Sequence, residues 1–146
     1  MKRKIETTIL IDAPVEAVWS VLTDFSNYPV WSPTIREFGG IPKVGQRTKV
    51  LLQQPDGMRI TMNPVFLKLE TNKEIRWKGR LWIDGIFDGE HYFIVEPAAN
   101  GQTRFIQEEL FSGILIPFLK KMIDVDTKNG FLLFNAALKA EVEGKL

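Results

Sequence analysis

The chain has 146 residues, 45% of them hydrophobic and 25% charged, and carries a net charge of +1. This length and balance describe one globular domain over residues 1–146 and exclude the basic excess that a nucleic-acid surface needs. With no cysteine and a single histidine, thiol, zinc and haem chemistry have almost nothing to work with, so neither a metal nor a cofactor is expected.

The lack of cysteine fits a reducing cytoplasm, and a cytoplasmic protein is the expectation. The N-terminus runs straight into strand-like sequence, so no signal peptide is expected. No integral membrane segment is expected either. The most apolar run, Ile114 to Leu119, is too short to span a bilayer and contains Pro117.

Residues 4–11 alternate, with Ile5, Thr7, Ile9 and Ile11 on one face of a first strand. Asp12-Ala13-Pro14 reads as a helix start, and the helix runs to about Leu22 with an apolar stripe of Val15, Val18, Trp19 and Leu22. Residues 24–29 break it, and a short second helix follows. From about residue 34 the signals are strand and turn, with turn chemistry at Pro55-Asp56-Gly57, Asp84-Gly85, Asp88-Gly89 and Asn100-Gly101. Met58, Ile60 and Met62 are out of phase with Val65, Leu67 and Leu69, which predicts a bulge or bend at Asn63-Pro64. Glu74 to Ile83 is the clearest strand, with Ile75, Trp77, Gly79 and Leu81 facing one way and charged residues the other.

The only histidine, His91, shares a strand face with Phe93 and Val95. A titratable ring aimed at an apolar interior needs a partner or a ligand. The next strand is ambiguous. One face holds Thr103, Phe105, Gln107, Glu109 and Phe111; the other holds Arg104, Ile106, Glu108 and Leu110. Residues 115–143 form a long helix with apolar stripes on both sides of Gly130, where a kink or a close approach to the sheet is expected. Hairpin-linked strands are antiparallel, and such a sheet has an apolar face to cover. A curved sheet wrapped around one helix leaves a gap suited to a ligand.

Four places in this order resemble the SRPBCC (START and birch-pollen-allergen-like) superfamily, and within it the polyketide cyclase/dehydrase and lipid-transport-like group of small bacterial proteins. They are Ile11 to Trp19; Asp24 with Tyr28 to Pro33; Arg76 to Gly79 with Phe87 to Phe93, Thr103 to Phe105 and Glu109 to Gly113; and Gly130-Phe131 with Phe134 to Lys139. The resemblance covers essentially the whole chain. It implies an α+β helix-grip fold. A curved antiparallel sheet of about six to seven strands wraps a long C-terminal helix, with two short helices after strand 1. It also favours the Gln107 and Glu109 face as inward. The fold hosts carriers, cyclases and regulators alike, so it does not fix the function.

On that basis His91, Gln107 and Glu109 are the candidate polar contacts. Trp31, Trp77, Phe93, Phe105, Phe111, Phe118, Met122 and Phe131 are the candidate apolar lining, although aromatics on inward faces also suit plain core. Asp124 and Asp126 read as solvated helix charges. The expected partner is a hydrophobic small molecule of lipid, polyketide or aromatic type. The competing readings are a cyclase/dehydratase using His91 with Glu109 as acid and base, and a regulatory or chaperone-linked interaction module. The ligand's identity and the oligomeric state are not legible in the sequence.

Overall fold

In the computed structural model, which describes residues 2–81 and 83–146, strand β1 (Lys2–Ile11) ends where Asp12, Ala13 and Pro14 turn the chain into helix α1 (Val15–Thr23). Proline has no N–H to lose, so it suits a helix entrance. Val18, Val21 and Leu22 are buried, and Val15 and Trp19 pack against the core from its edge. A tight turn (Phe25–Asn27) and the one-turn helix α2 (Tyr28–Trp31) follow. The Tyr28 hydroxyl donates to the Leu22 carbonyl oxygen at 2.8 Å, which satisfies its polar end and lets the ring be fully buried.

The remaining strands are β2 (Ile35–Phe38), β3 (Val50–Gln53), β4 (Arg59–Met62), β5 (Val65–Glu70), β6 (Glu74–Leu81), β7 (Phe87–Pro97) and β8 (Thr103–Ser112). They form two antiparallel sheets, ordered β1-β8-β7-β6-β5 and β2-β3-β4. The total exceeds the sequence count because β2 and β3 are four residues each, too short for their alternation to register. Asn63-Pro64 is the step at which the chain leaves the small sheet for the large one. Proline cannot continue a ladder, and isolated bridges from Val44 and Arg47, in the segment between β2 and β3, to Phe66 and Val65 hold that segment against the start of β5.

Along β5 the expected row of Val65, Leu67 and Leu69 is not kept. A register shift between Phe66 and Lys68 buries Phe66 completely and leaves Leu67 41% exposed. Ile75, Trp77 and Gly79 of β6 face inward as expected. The strand ends at Leu81, and Trp82, within its expected span, lies outside the described residues. His91, Phe93 and Val95 of β7 are all buried. On β8 the buried face carries Thr103, Phe105, Gln107 and Phe111, the face the resemblance favoured.

The C-terminal helix runs in three parts: α3 (Ile116–Lys121), a π-helical stretch (Met122–Thr127) and α4 (Lys128–Gly144), with helical backbone at both junctions. The irregularity expected at Gly130 falls earlier, in the π-helical turn. Gly130 is instead a close approach to the small sheet: a Cβ there would lie 3.7 Å from Thr34 Cγ2 and 4.0 Å from Pro55 Cδ. Phe131, Phe134, Asn135, Leu138 and Val142 line the buried face of α4. The Arg3 guanidinium grips the Asp124 carboxylate and ties the π-helical stretch to β1, so Asp124 is paired rather than merely solvated.

Two cores result. The main one stacks Phe93, Phe105 and Phe134, all fully buried, between α1, α4 and the large sheet. Each such side chain contributes about 1.5–3 kcal/mol relative to exposure. The other gathers Ile5, Phe111, Ile116, Ile123 and Phe131 around α3 and the π-helical stretch. Being smaller, it holds that end of the helix less strongly. Among the described residues, no helix is long and apolar enough to cross a membrane.

Candidate functional site

Cross-strand register sets the site. Trp77 of β6 lies opposite His91 of β7, and His91 lies opposite Glu109 of β8. These residues form one rung on the inner face of the large sheet. The His91 imidazole stacks on the Trp77 indole, with centroids 4.5 Å apart and planes 5° from parallel. Phe93 and Phe131 meet it edge-on at 4.9 and 5.2 Å. His91 Nδ1 is 3.1 Å from Glu109 Oε1. A carboxylate only accepts, so it holds the ring with the proton on Nδ1. His91 Nε2 is buried with no hydrogen-bond partner. An unmet buried polar atom costs on the order of 1–3 kcal/mol, so this site is not arranged for stability alone.

On one side of this rung is an all-glycine pair, Gly79 opposite Gly89. A Cβ on Gly89 would fall 2.2 Å from Glu109 Oε2, and one on Gly79 would fall 2.4 Å from Met62 Cε. The bare backbone thus makes room for Glu109 to lie across β7 and for Met62 to fold over β6. The neighbouring rung holds Ile75, Phe93 and Gln107. Gln107 Nε2 donates to Asn135 Oδ1 at 2.8 Å and to the Phe131 carbonyl oxygen at 3.3 Å. Asn135 Nδ2 donates to Thr7 Oγ1 at 2.9 Å, and Thr7 donates to the Gln107 carbonyl oxygen at 3.2 Å. This buried network fastens α4 to β1 and β8.

A cavity of about 100 Å³ sits over the rung, between the large sheet, the small sheet and the helix. Trp77, His91, Gln107, Glu109 and Phe131 line it from the expected set. Ile35, Val50, Leu52, Met62 and Pro64 supply an opposite apolar wall, and Asp126 and Thr127 reach it from the π-helical stretch. A wider depression, lined by Lys68, Glu70, Lys73 and Glu74, is open to solvent, and its charges pair with one another.

The other expected lining residues lie elsewhere. Phe93 and Phe105 are fully buried core, because they face α4 rather than the gap. Trp31 packs on Tyr28 and Phe134. Phe111 stacks on Phe87 in the smaller core, and Met122 packs against the same cluster. Phe118 is 82% exposed: α3 turns its ring away from the sheet. Sequence reasoning missed the small-sheet wall, Asn135, and the space made by Gly79 and Gly89. Glycine at inward strand positions was the available signal for that space.

A curved antiparallel sheet closed over one long helix, with a cavity between them, defines a START-like helix-grip domain. The chain belongs to the family described as polyketide cyclase/dehydrase and lipid transport, whose model matches residues 2–143. No curated protein matches its sequence. Among solved structures it is similar to the Zhui aromatase/cyclase from a Streptomyces species, at 17% identity over 99% of this chain and 96% of that one, with a TM-score of 0.80. A START superfamily protein from Mycobacterium smegmatis matches at 19% identity over 98% and 99%, with a TM-score of 0.74. A norcoclaurine synthase point mutant from Thalictrum flavum, in complex with a transition-state analogue, matches at 15% identity over 100% and 98%, with a TM-score of 0.75. At these identities the likeness defines the fold.

Proposed function

We propose that this protein binds a small hydrophobic molecule in the cavity between sheet and C-terminal helix, with His91 and Glu109 orienting the ligand's polar end. The observation that carries this reading is the unpartnered Nε2 of His91, buried in a ring that lines an otherwise largely apolar gap. Its partner is a group the ligand brings. Ligand pockets combine such walls with few fixed polar groups. The cavity is below the usual 300–1,000 Å³. A polyketide- or lipid-sized ligand therefore requires the π-helical end of the helix to move from the small sheet. The weaker core at that end permits such movement.

Native mass spectrometry and solvent extraction of the purified protein test this. The expected result is a co-purified apolar molecule that is lost in the His91→Ala variant. A protein that stays empty when offered a panel of lipids, polyketides and aromatics would sink the proposal.

A second reading is an enzyme of the cyclase/dehydratase type. It is favoured by the 3.1 Å contact from Glu109 to His91 Nδ1. A carboxylate that fixes the tautomer and leaves Nε2 free is the arrangement of a general base. One structural neighbour is an aromatase/cyclase, which agrees with that chemistry. Undiminished turnover in His91→Ala would remove its basis.

A further inference from the structure

We infer that the outer face of α3 and the π-helical stretch, with the turn before it, is a docking surface for a bilayer carrying anionic headgroups. Ile114, Phe118 and Val125 are 67%, 82% and 45% exposed. With Lys121 they follow one another at intervals of four, three and four residues, the spacing of a single helix face. Ile83, 63% exposed, joins them from the β6–β7 turn. That turn is tied to the chain before α3: the Ile114 N–H donates to the Gly85 carbonyl oxygen and the Leu115 N–H to that of Ile86, both at 3.1 Å. On the opposite side of the same helix, Ile116 and Ile123 are fully buried in the smaller core. Packing of the fold therefore explains none of the four exposed side chains. Standing on adjoining segments, they form a patch rather than the scattered single residues of an ordinary surface.

Charge selects the partner. Lys120 and Lys121 follow Phe118, and Lys128 begins α4; all three are exposed and none is in a salt bridge among the described residues. Two nearby carboxylates are already matched, Asp124 by Arg3 and Asp84 by Arg80. One remains, Asp126, which lines the cavity. The patch is thus rimmed by positive charge on a chain whose net charge is only +1. Each lysine near an anionic surface strengthens binding about fivefold, and salt screens the effect. The apolar side chains add the buried area that anchoring in the interface requires. A second copy of this chain suits the patch less well. Pairing would set lysine against lysine, and four part-exposed side chains fall short of the roughly 800 Å² per partner of a stable interface. The docking surface does not depend on the cavity reading above.

The test is co-sedimentation of the whole protein with vesicles of phosphatidylcholine alone and of phosphatidylcholine mixed with phosphatidylglycerol in equal parts. Binding to the mixed vesicles is expected to be about tenfold tighter or more, and raising the salt from about 0.1 to 0.5 M should remove most of that preference. Phe118→Asp is expected to weaken binding about tenfold or more while leaving the unfolding midpoint unchanged, because the exposed ring supports nothing in the fold. Lys120→Glu together with Lys121→Glu should abolish the preference for anionic vesicles. Leu10→Asp, at the far end of β1 from the patch, should leave vesicle binding unchanged, and so should His91→Ala in the cavity. Equal binding to both vesicle types, no binding to either, or full binding by Phe118→Asp would overturn the inference. A dimer in sedimentation velocity that Phe118→Asp dissolves would overturn it in favour of a second copy. Loss of vesicle binding in His91→Ala would overturn it by assigning the lipid to the cavity.

Discussion

The His91 imidazole lies flat on the Trp77 indole, directly across the β6–β7 pair, while its far nitrogen has no partner. The stack stabilises the ring's position; the bare nitrogen does not stabilise the fold. The two contributions separate in a variant that keeps a ring on the stack and removes the bare nitrogen. His91→Phe is expected to cost no more than about 2 kcal/mol, since the stack survives and an unmet polar atom disappears, while the Nδ1 contact to Glu109 is lost. Ligand affinity is expected to fall. Urea unfolding alongside a binding assay checks both. A loss of stability above about 3 kcal/mol would mark the histidine as a structural residue.

Asn135 is the opposite case, a buried side chain whose oxygen and nitrogen both have hydrogen-bond partners. Asn135→Leu leaves a Gln107 proton without its acceptor and Thr7 without its donor. The expected cost is about 2–4 kcal/mol, read as a lower denaturation midpoint with an unchanged slope. A double-mutant cycle with Thr7→Val should show strong coupling, because both residues belong to one network.

Glycines test which approaches are rigid. At Gly113 the backbone has φ +127°, and a Cβ would fall 2.4 Å from the Ile86 carbonyl oxygen, so Gly113→Ala is expected to cost about 2 kcal/mol or more. Gly89→Ala meets only the end of the Glu109 side chain, which can swing aside. It should cost less stability than Gly113→Ala yet break the His91–Glu109 contact. Thermal unfolding ranks the two, and the imidazole NMR signals report the broken contact.

Stability should fall at both extremes of pH. Hydrogen bonding to Arg3 holds the Asp124 carboxyl below its ordinary range. Lys139, with help from the Asp12 backbone N–H, does the same for Glu143. A lowered folded value means that the unfolded chain binds more protons. The contribution is therefore present above the ordinary carboxylate range, about pH 4, and is lost as pH drops through the lowered values. Burial, with Asp24 nearby, pushes the Tyr28 hydroxyl well up. That contribution is present below about pH 10 and is lost as pH rises further. Denaturation midpoints against pH check both limbs, and Asp124→Asn should flatten the acid one.

Much of the fold was legible because it is written in local periodicity. The alternation of Ile75, Trp77 and Gly79, and of His91, Phe93 and Val95, fixed which faces turn inward. Periodicity failed at β5, where a register shift exchanges Leu67 for Phe66. It also failed in the helix, where a π-helical turn rotates everything before it and carries Phe118 outward. A two-residue period cannot register an inserted residue, and a helical stripe cannot register a change of pitch.

By itself the sequence determined that a lone histidine faces an aromatic interior, and that Gln107 and Glu109 share one face of a strand. Only the tertiary structure decided that Trp77, His91 and Glu109 fall on a single rung, while Gln107 is drawn into a network with Asn135 and Thr7. It also decided that the gap above them is small. The physical reason is that facing direction is set within a strand by the pleat, whereas meeting depends on cross-strand register and on how closely helix and small sheet approach. Those are contacts between residues far apart in the chain, and no local pattern encodes them.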